Sequence, residues 1–156
     1  MSTIWTPHLT VAAIIERENR FLLVEENSDG RIVLNQPAGH VEENESLTQA
    51  AIRETLEETG RQFVPEAIVG VYRWRSPLNG ITYLRVAFSG ACSSRDRDIS
   101  LDTDIITTHW LSYTELQERA AMHRSPLVMK CIDDYLAGQR LPLNLIAELN
   151  EHLSRT

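Results

Sequence analysis

The stretch Gly39–Gly60, GHVEENESLTQAAIRETLEETG, decides the fold. Residues 46–59 within it contain no Gly or Pro and are rich in good helix formers, so they are predicted helical. Ser46 can cap the start, as can Asn44 or Glu45. Gly60 stands where a helix-ending glycine is expected. Each helical residue turns about 100°. With Glu54 at zero, Glu58 falls near about 40° and Glu57 near about −60°. Three carboxylates therefore share one arc of about 100°, while Ala51, Ile52, Thr55 and Leu56 form the side expected to pack on a sheet. The carboxylate side is left over a cleft or facing solvent.

Like charges at i, i+3 and i, i+4 repel, and anions in the C-terminal half of a helix oppose its dipole. A hard cation removes both conflicts, because Mg²⁺ takes carboxylate oxygens and bridges to phosphates. The bland alternative is a solvated acidic face, common on surface helices.

Outward from this segment, residues 8–16 and 21–26 are β-branched-rich runs that read as neighbouring strands, and a short strand follows at about 31–35. Residues 36–45 read as a loop. Residues 67–75 and 81–91 read as a hairpin around Pro77-Leu78-Asn79-Gly80. A polar loop at 95–104 leads to a strand at 105–111. Ser112 and Glu115 fit a capping box, Ser125-Pro126 opens a helix that Gly138 ends, and Pro142 precedes a last helix with Leu145, Ile146, Leu149 and Leu153 inward. Strands, helix, strands, helices predict an α/β domain with a mixed sheet and helices on both faces, one domain over residues 1–156.

Hydrophobic residues are 42% of the 156, enough for a globular core. A net charge of −7 argues against duplex nucleic acid as a partner. A small polyphosphate fits such a chain only if something offsets carboxylate–phosphate repulsion, as a bound divalent metal would. No apolar run approaches membrane-spanning length, and MSTIWTPHLT lacks the features of a signal peptide. Cys92 and Cys131 have no metal spacing and read as reduced thiols, so a cytoplasmic location is expected.

Gly39, Glu45, Arg53, Glu54, Glu57, Glu58 and Gly60 together resemble the signature box of the Nudix hydrolases. Each residue type has a usage of roughly 5–10%, so seven matches at fixed spacing arise by chance at about 10⁻⁸ per starting point. That outweighs the solvated-face reading. Thr55 and Arg61 depart from the box, standing where aliphatic residues are usual. The run Asn35-Gln36-Pro37-Ala38-Gly39-His40 and the tail RSPLV…GQRLPL extend the likeness, to the bacterial NudJ-like phosphatase subgroup, from Pro7 to about Ile146.

The resemblance implies a Nudix-type α/β/α sandwich. It also implies Mg²⁺-dependent hydrolysis, with Mn²⁺ as a substitute, of a small-molecule phosphoanhydride. The substrates implied are nucleoside di- and triphosphates or the hydroxymethylpyrimidine diphosphate of thiamine synthesis. Another nucleoside-diphosphate-linked compound is the alternative substrate class, and a non-catalytic ligand sensor the alternative of a different kind. The intact carboxylate set argues against the sensor.

By resemblance, Glu54, Glu57 and Glu58 hold the metal with the Gly39 carbonyl, and Arg53 pairs with Glu45 to orient a carboxylate. Glu57, Glu58 or an acid of the 95–104 loop is the general base, with Asp102 and Asp104 the loop acids nearest the following strand. Gln36, His40, Arg73, Trp74, Arg85 and Asp104 are candidate substrate contacts. On the hairpin, Arg73 and Arg75 alternate with Trp74, an Arg being suited to phosphate and an aromatic to a base, although a Trp there is more often core. A monomer or homodimer is expected.

Overall fold

In a computed structural model, which describes residues 2–149, the chain forms eight strands and three α-helices. The strands are β1 (His8–Ile14), β2 (Glu16–Arg17), β3 (Arg20–Ser28), β4 (Arg31–Asn35), β5 (Ala38–His40), β6 (Phe63–Arg75), β7 (Thr82–Cys92) and β8 (Ile105–Ser112). The helices are α1 (Leu47–Thr59), α2 (Tyr113–Glu118) and α3 (Leu127–Leu136).

The expected mixed sheet has the order β5-β1-β7-β6, with β1 parallel to β7 and the other pairs antiparallel. Alternation along β1 separates its two faces. Val11, Ala13 and Ile15 cluster with Ala50 and Ala51 of α1, while Ile14 clusters with Val128, Cys131 and Ile132 of α3. One helix therefore covers each face.

A second, antiparallel sheet of β2, β3, β4 and β8 stands beside it. Sequence pattern does not reveal this division. The runs at 8–16 and 21–26 are neighbours through a tight turn, in which Glu18 and Asn19 both take positive φ. Most of the first run nevertheless pairs in one sheet and most of the second in the other.

Three expectations need correction. The stretch 36–45 is not all loop, because Ala38–His40 adds an edge strand to β1. The strand expected from residue 67 begins at Phe63, pairing with Cys92. Over the described part of the expected last helix there is a 3-10 turn at Leu143–Leu145 and no helical structure at residues 146–149. Before Pro142, Leu141 pairs as a bridge with Ile68. Leu153 lies outside the described residues.

Candidate functional site

Helix α1 is fixed at both ends. The Ser46 hydroxyl accepts the Gln49 backbone N–H, the Gln49 side chain accepts the Ser46 N–H, and Gly60 closes the helix at φ 70° in the left-handed region. Ser46 is thus the cap among the three residues the sequence allowed. The two departures from the box are accommodated locally. Thr55 is fully buried and donates its hydroxyl to the Ala51 carbonyl at 2.8 Å. The Arg61 guanidinium lies 5.3 Å from the Trp110 ring centre and donates to the Ser93 carbonyl at 3.0 Å.

Arg53 is the hub of the site. Its Nε and Nη2 grip Glu45 at 3.0 and 2.7 Å, Nη2 also reaches the His40 carbonyl at 3.0 Å, and Nη1 donates to Glu54 and Glu57 at 3.0 and 3.1 Å. One planar fork therefore ties the β5 edge, the loop before α1 and two successive helical turns together. Arg53 holds the Glu45 carboxyl below its usual range, chiefly through those hydrogen bonds.

Glu54 and Glu57 bring carboxylate oxygens within 4.8 Å of one another and of an oxygen of Asp102, the residue whose backbone N–H donates to the Glu57 carbonyl. Burial raises the Glu54 carboxyl to about 7 despite its hydrogen bond to Arg53, with Glu57 and Asp102 adding repulsion. Three hard oxygen donors, incompletely neutralised by one arginine, fit a divalent cation such as Mg²⁺.

Glu58 keeps its place on the helical wheel but not the exposure expected of that face. It is buried rather than facing a cleft or solvent, and its Oε1 accepts the Ala38 backbone N–H at 2.7 Å. Burial raises its carboxyl well above the ordinary value, and Glu26 of β3 contributes repulsion. Glu26 is itself buried and bound by Arg124 at 2.6 Å. Nothing in its sequence context marked it.

Gly39 faces Glu54 so closely that a Cβ there would sit 2.1 Å from the Glu54 carboxyl carbon. Glycine is required because the helix carboxylate packs on bare backbone.

A cleft of about 400 Å³ opens on the other side of β5, reaching from Ala38, Gly39 and His40 to the β6–β7 turn at Leu78 and Asn79. His40, Trp74 and Arg85 line it, with Thr10, Asn35 and Tyr83. Trp74 stacks on Tyr83 with ring centres 6.1 Å apart, and His8 Nδ1 meets His40 Nε2 at 2.9 Å.

The other candidate contacts lie away from the cleft wall. Gln36 is buried behind it, donating to the Val128 carbonyl at 2.7 Å and accepting from Arg85. Arg73 alternates away from Trp74, is exposed, and places its guanidinium 5.5 Å from the Trp5 ring centre. Asp104 is exposed at the start of β8, where its carbonyl accepts the Asn27 N–H, and Asp102 is the loop acid that joins Glu54 and Glu57. The cleft lining also includes Arg31, which no sequence signal distinguished, and Arg124, which opens the RSPLV segment.

This helix, loop and carboxylate arrangement is that of a Nudix hydrolase, and residues 6–131 match the NUDIX domain family, to which the chain belongs. Among curated relatives it is similar to Phosphatase NudJ of Escherichia coli strain K12, at 38% identity over 144 residues covering 92% of this chain and 93% of that protein. A solved NUDIX hydrolase from Nitrosomonas europaea is 52% identical, covers 92% of this chain and 98% of its own, and superposes with a TM-score of 0.91. A MutT NUDIX hydrolase from Burkholderia pseudomallei shares the fold at TM-score 0.71 and 18% identity, over 83% of this chain and 98% of its own. Among the described residues no helix is long and apolar enough to cross a membrane.

Proposed function

We propose that the chain acts as a single Nudix unit, a Mg²⁺-dependent phosphatase of nucleoside di- or triphosphates or of hydroxymethylpyrimidine diphosphate. The carrying observation is the convergence of Glu54, Glu57 and Asp102 within 4.8 Å beside Arg53. The likeness to Phosphatase NudJ supports a phosphatase activity. The two free thiols fit a reducing, cytoplasmic setting.

Glu54, Glu57 and Asp102 would hold the cation, with the Gly39 carbonyl adjoining them. A bound Mg²⁺ supplies charge neutralisation at phosphate oxygens and lowers the pKa of water. Arg53 acts by positioning, because it fixes the angles of Glu54 and Glu57 through bonds to Glu45 and the His40 carbonyl. Glu57, the most exposed of the helix carboxylates, takes the proton of the attacking water. The water oxygen bonds to phosphorus, the anhydride P–O bond breaks, and the electron pair leaves on the departing phosphate. Glu58 stays buried and holds β5 against α1 through the Ala38 N–H. His40 and the Trp74–Tyr83 pair form the wall against which the organic group rests.

The test is phosphate and pyrophosphate release from a panel of nucleoside di- and triphosphates and the pyrimidine diphosphate. Orthophosphate as the product from one of these, with Mg²⁺ present, is expected. Hydrolysis confined to nucleoside-diphosphate sugars would overturn the substrate assignment.

A further inference from the structure

Arg85 projects from the middle of β7 towards α3, on the floor of the cleft, and is only 5% exposed. Its described partners are neutral. Nη1 donates to the Gln36 side-chain oxygen at 2.9 Å, Nη2 donates to Asn35 Oδ1 at 3.1 Å, and Cys131 Sγ lies 3.9 Å from Nη1. Its Nε–H is buried without a hydrogen-bond partner. Among the described residues no carboxylate lies within ion-pairing distance of it. Two other arginines have a buried, unpartnered Nε, Arg61 and Arg95, but neither is buried as a whole residue and neither lines the cleft.

Burying a guanidinium without a counter-charge is costly, and a fold chosen only for stability has little use for it. The amides of Asn35 and Gln36 set the plane of the group without neutralising it. Arg31 and Arg124 line the same cleft, so its lining carries more positive than negative groups in a chain of net charge −7. Arg85 pairs across the ladder with Thr10, and Thr10 with His40. Its strand is therefore two strand spacings, about 10 Å, from the β5 edge against which Glu54 packs.

We infer that Arg85 is a metal-independent seat for a phosphoryl group, held in place by Asn35 and Gln36 and charge-balanced only when that group is bound. This rests on the proposed function, in which the substrate reaches from the carboxylate cluster into the cleft, and it adds a phosphate contact separate from that cluster. The seat accepts a phosphoryl group of an intact substrate or a released phosphate, since both present the same oxygens to a guanidinium.

The test uses the full chain in excess chelator, where metal-bridged binding and turnover are both suppressed. Inorganic pyrophosphate and orthophosphate are titrated separately, following the melting temperature and the binding isotherm. At least the pyrophosphate arm should bind and raise the melting temperature. A response to orthophosphate as well would assign the seat to released phosphate too, and a response to pyrophosphate alone would assign it to the intact anhydride.

Arg85→Met keeps the length and removes the charge. It leaves the buried oxygens of Gln36 and Asn35 without a donor, so a fall in melting temperature without anion is expected on any reading. The seat requires that it weaken pyrophosphate binding about thirtyfold or more, as loss of a buried charge partner does. A purely structural Arg85 predicts that the pyrophosphate response stays intact in the variant, and that result would overturn the inference. So would the absence of any response to either anion by the wild type. If Arg85→Met does not fold, the ¹⁵N-resolved arginine Nε–H signals of the wild type decide. The Arg85 signal should shift on pyrophosphate addition in chelator, and an unmoved Arg85 signal would overturn the assignment. Because no metal and no turnover enter, failure here leaves the hydrolase reading standing, and failure of the substrate panel leaves this result interpretable.

Discussion

Arg53 and Glu45, eight residues apart, are joined by a two-pronged pair, Nε to Oε2 at 3.0 Å and Nη2 to Oε1 at 2.7 Å. The pair is partly shielded, with side-chain exposures of 23% and 15%. The same guanidinium spends Nη1 on Glu54 and Glu57. The loop before α1 thereby sets the direction of two carboxylates on the helix, and a residue that cannot bind a cation controls those that can.

Arg53→Lys keeps the charge and loses the fork, so turnover and apparent Mg²⁺ affinity should both fall by about tenfold or more, with substrate preference little changed. Glu45→Gln should do the same. Because the two act as a unit, the double variant should be little worse than either single one. Mg²⁺ titrations of turnover for all three check this, and strictly additive losses would show that the residues are not functional partners.

Gly39→Ala should fold, because the atoms its Cβ meets are the far end of the Glu54 side chain and can be displaced. Their displacement pulls Glu54 from Glu57 and Asp102. A drop in turnover of about tenfold or more, with a melting temperature within a few degrees of the wild type, is expected. Unchanged turnover would mean that Glu54 does not need its observed place.

Glu57→Gln removes one charge from the cluster and keeps the shape. Turnover at saturating Mg²⁺ should fall at least about tenfold while the circular dichroism spectrum is retained, since Glu57 does not pack in the core. Near-wild-type turnover from a folded variant would contradict its role.

Much of this site was legible because it is local. Helical geometry gathers Glu54, Glu57 and Glu58 from spacing alone, and the glycines and capping residues mark both ends of α1. Burial was less legible, since it depends on strands distant in sequence. Glu58 shares the carboxylate arc, yet it is buried against β5 because Ala38–His40 forms an edge strand that composition disguised as a loop. Of the two loop acids the sequence favoured Asp104 as a contact, and only the fold of the 95–104 loop places Asp102 beside Glu57. Arg73 and Arg85 were equal candidates for the cleft. Their opposite fates follow from which sheet face each addresses, set by pairing between β6 and β7. Near the C-terminal end, Leu141 bridges to Ile68, a contact 73 positions away in the chain that no local pattern records.

The raised carboxyls give a signed pH dependence. Glu54 moves from an ordinary value of 4.5 to about 7, and Glu58 moves well above 4.5. Below pH 4.5 both stay protonated folded or unfolded. As pH rises from there through 7 the unfolded chain releases protons that the folded chain retains, so metal-free stability should fall. The lowered carboxyl of Glu45 acts with opposite sign, but at pH values below 4.5. A cation favours the ionised carboxylates, so the increase in melting temperature caused by Mg²⁺ should grow between pH 5 and pH 8. Thermal melts across that range with Mg²⁺ and with chelator test this, and a Mg²⁺ increment independent of pH would argue that Glu54 is not part of the cation site.

The most direct test of the central claim is steady-state phosphate release from a nucleoside diphosphate in excess chelator, followed by restoration of free Mg²⁺ in the same sample. Clustered Glu54, Glu57 and Asp102 predict turnover at background in chelator and full recovery with Mg²⁺. Undiminished turnover in chelator would contradict the account.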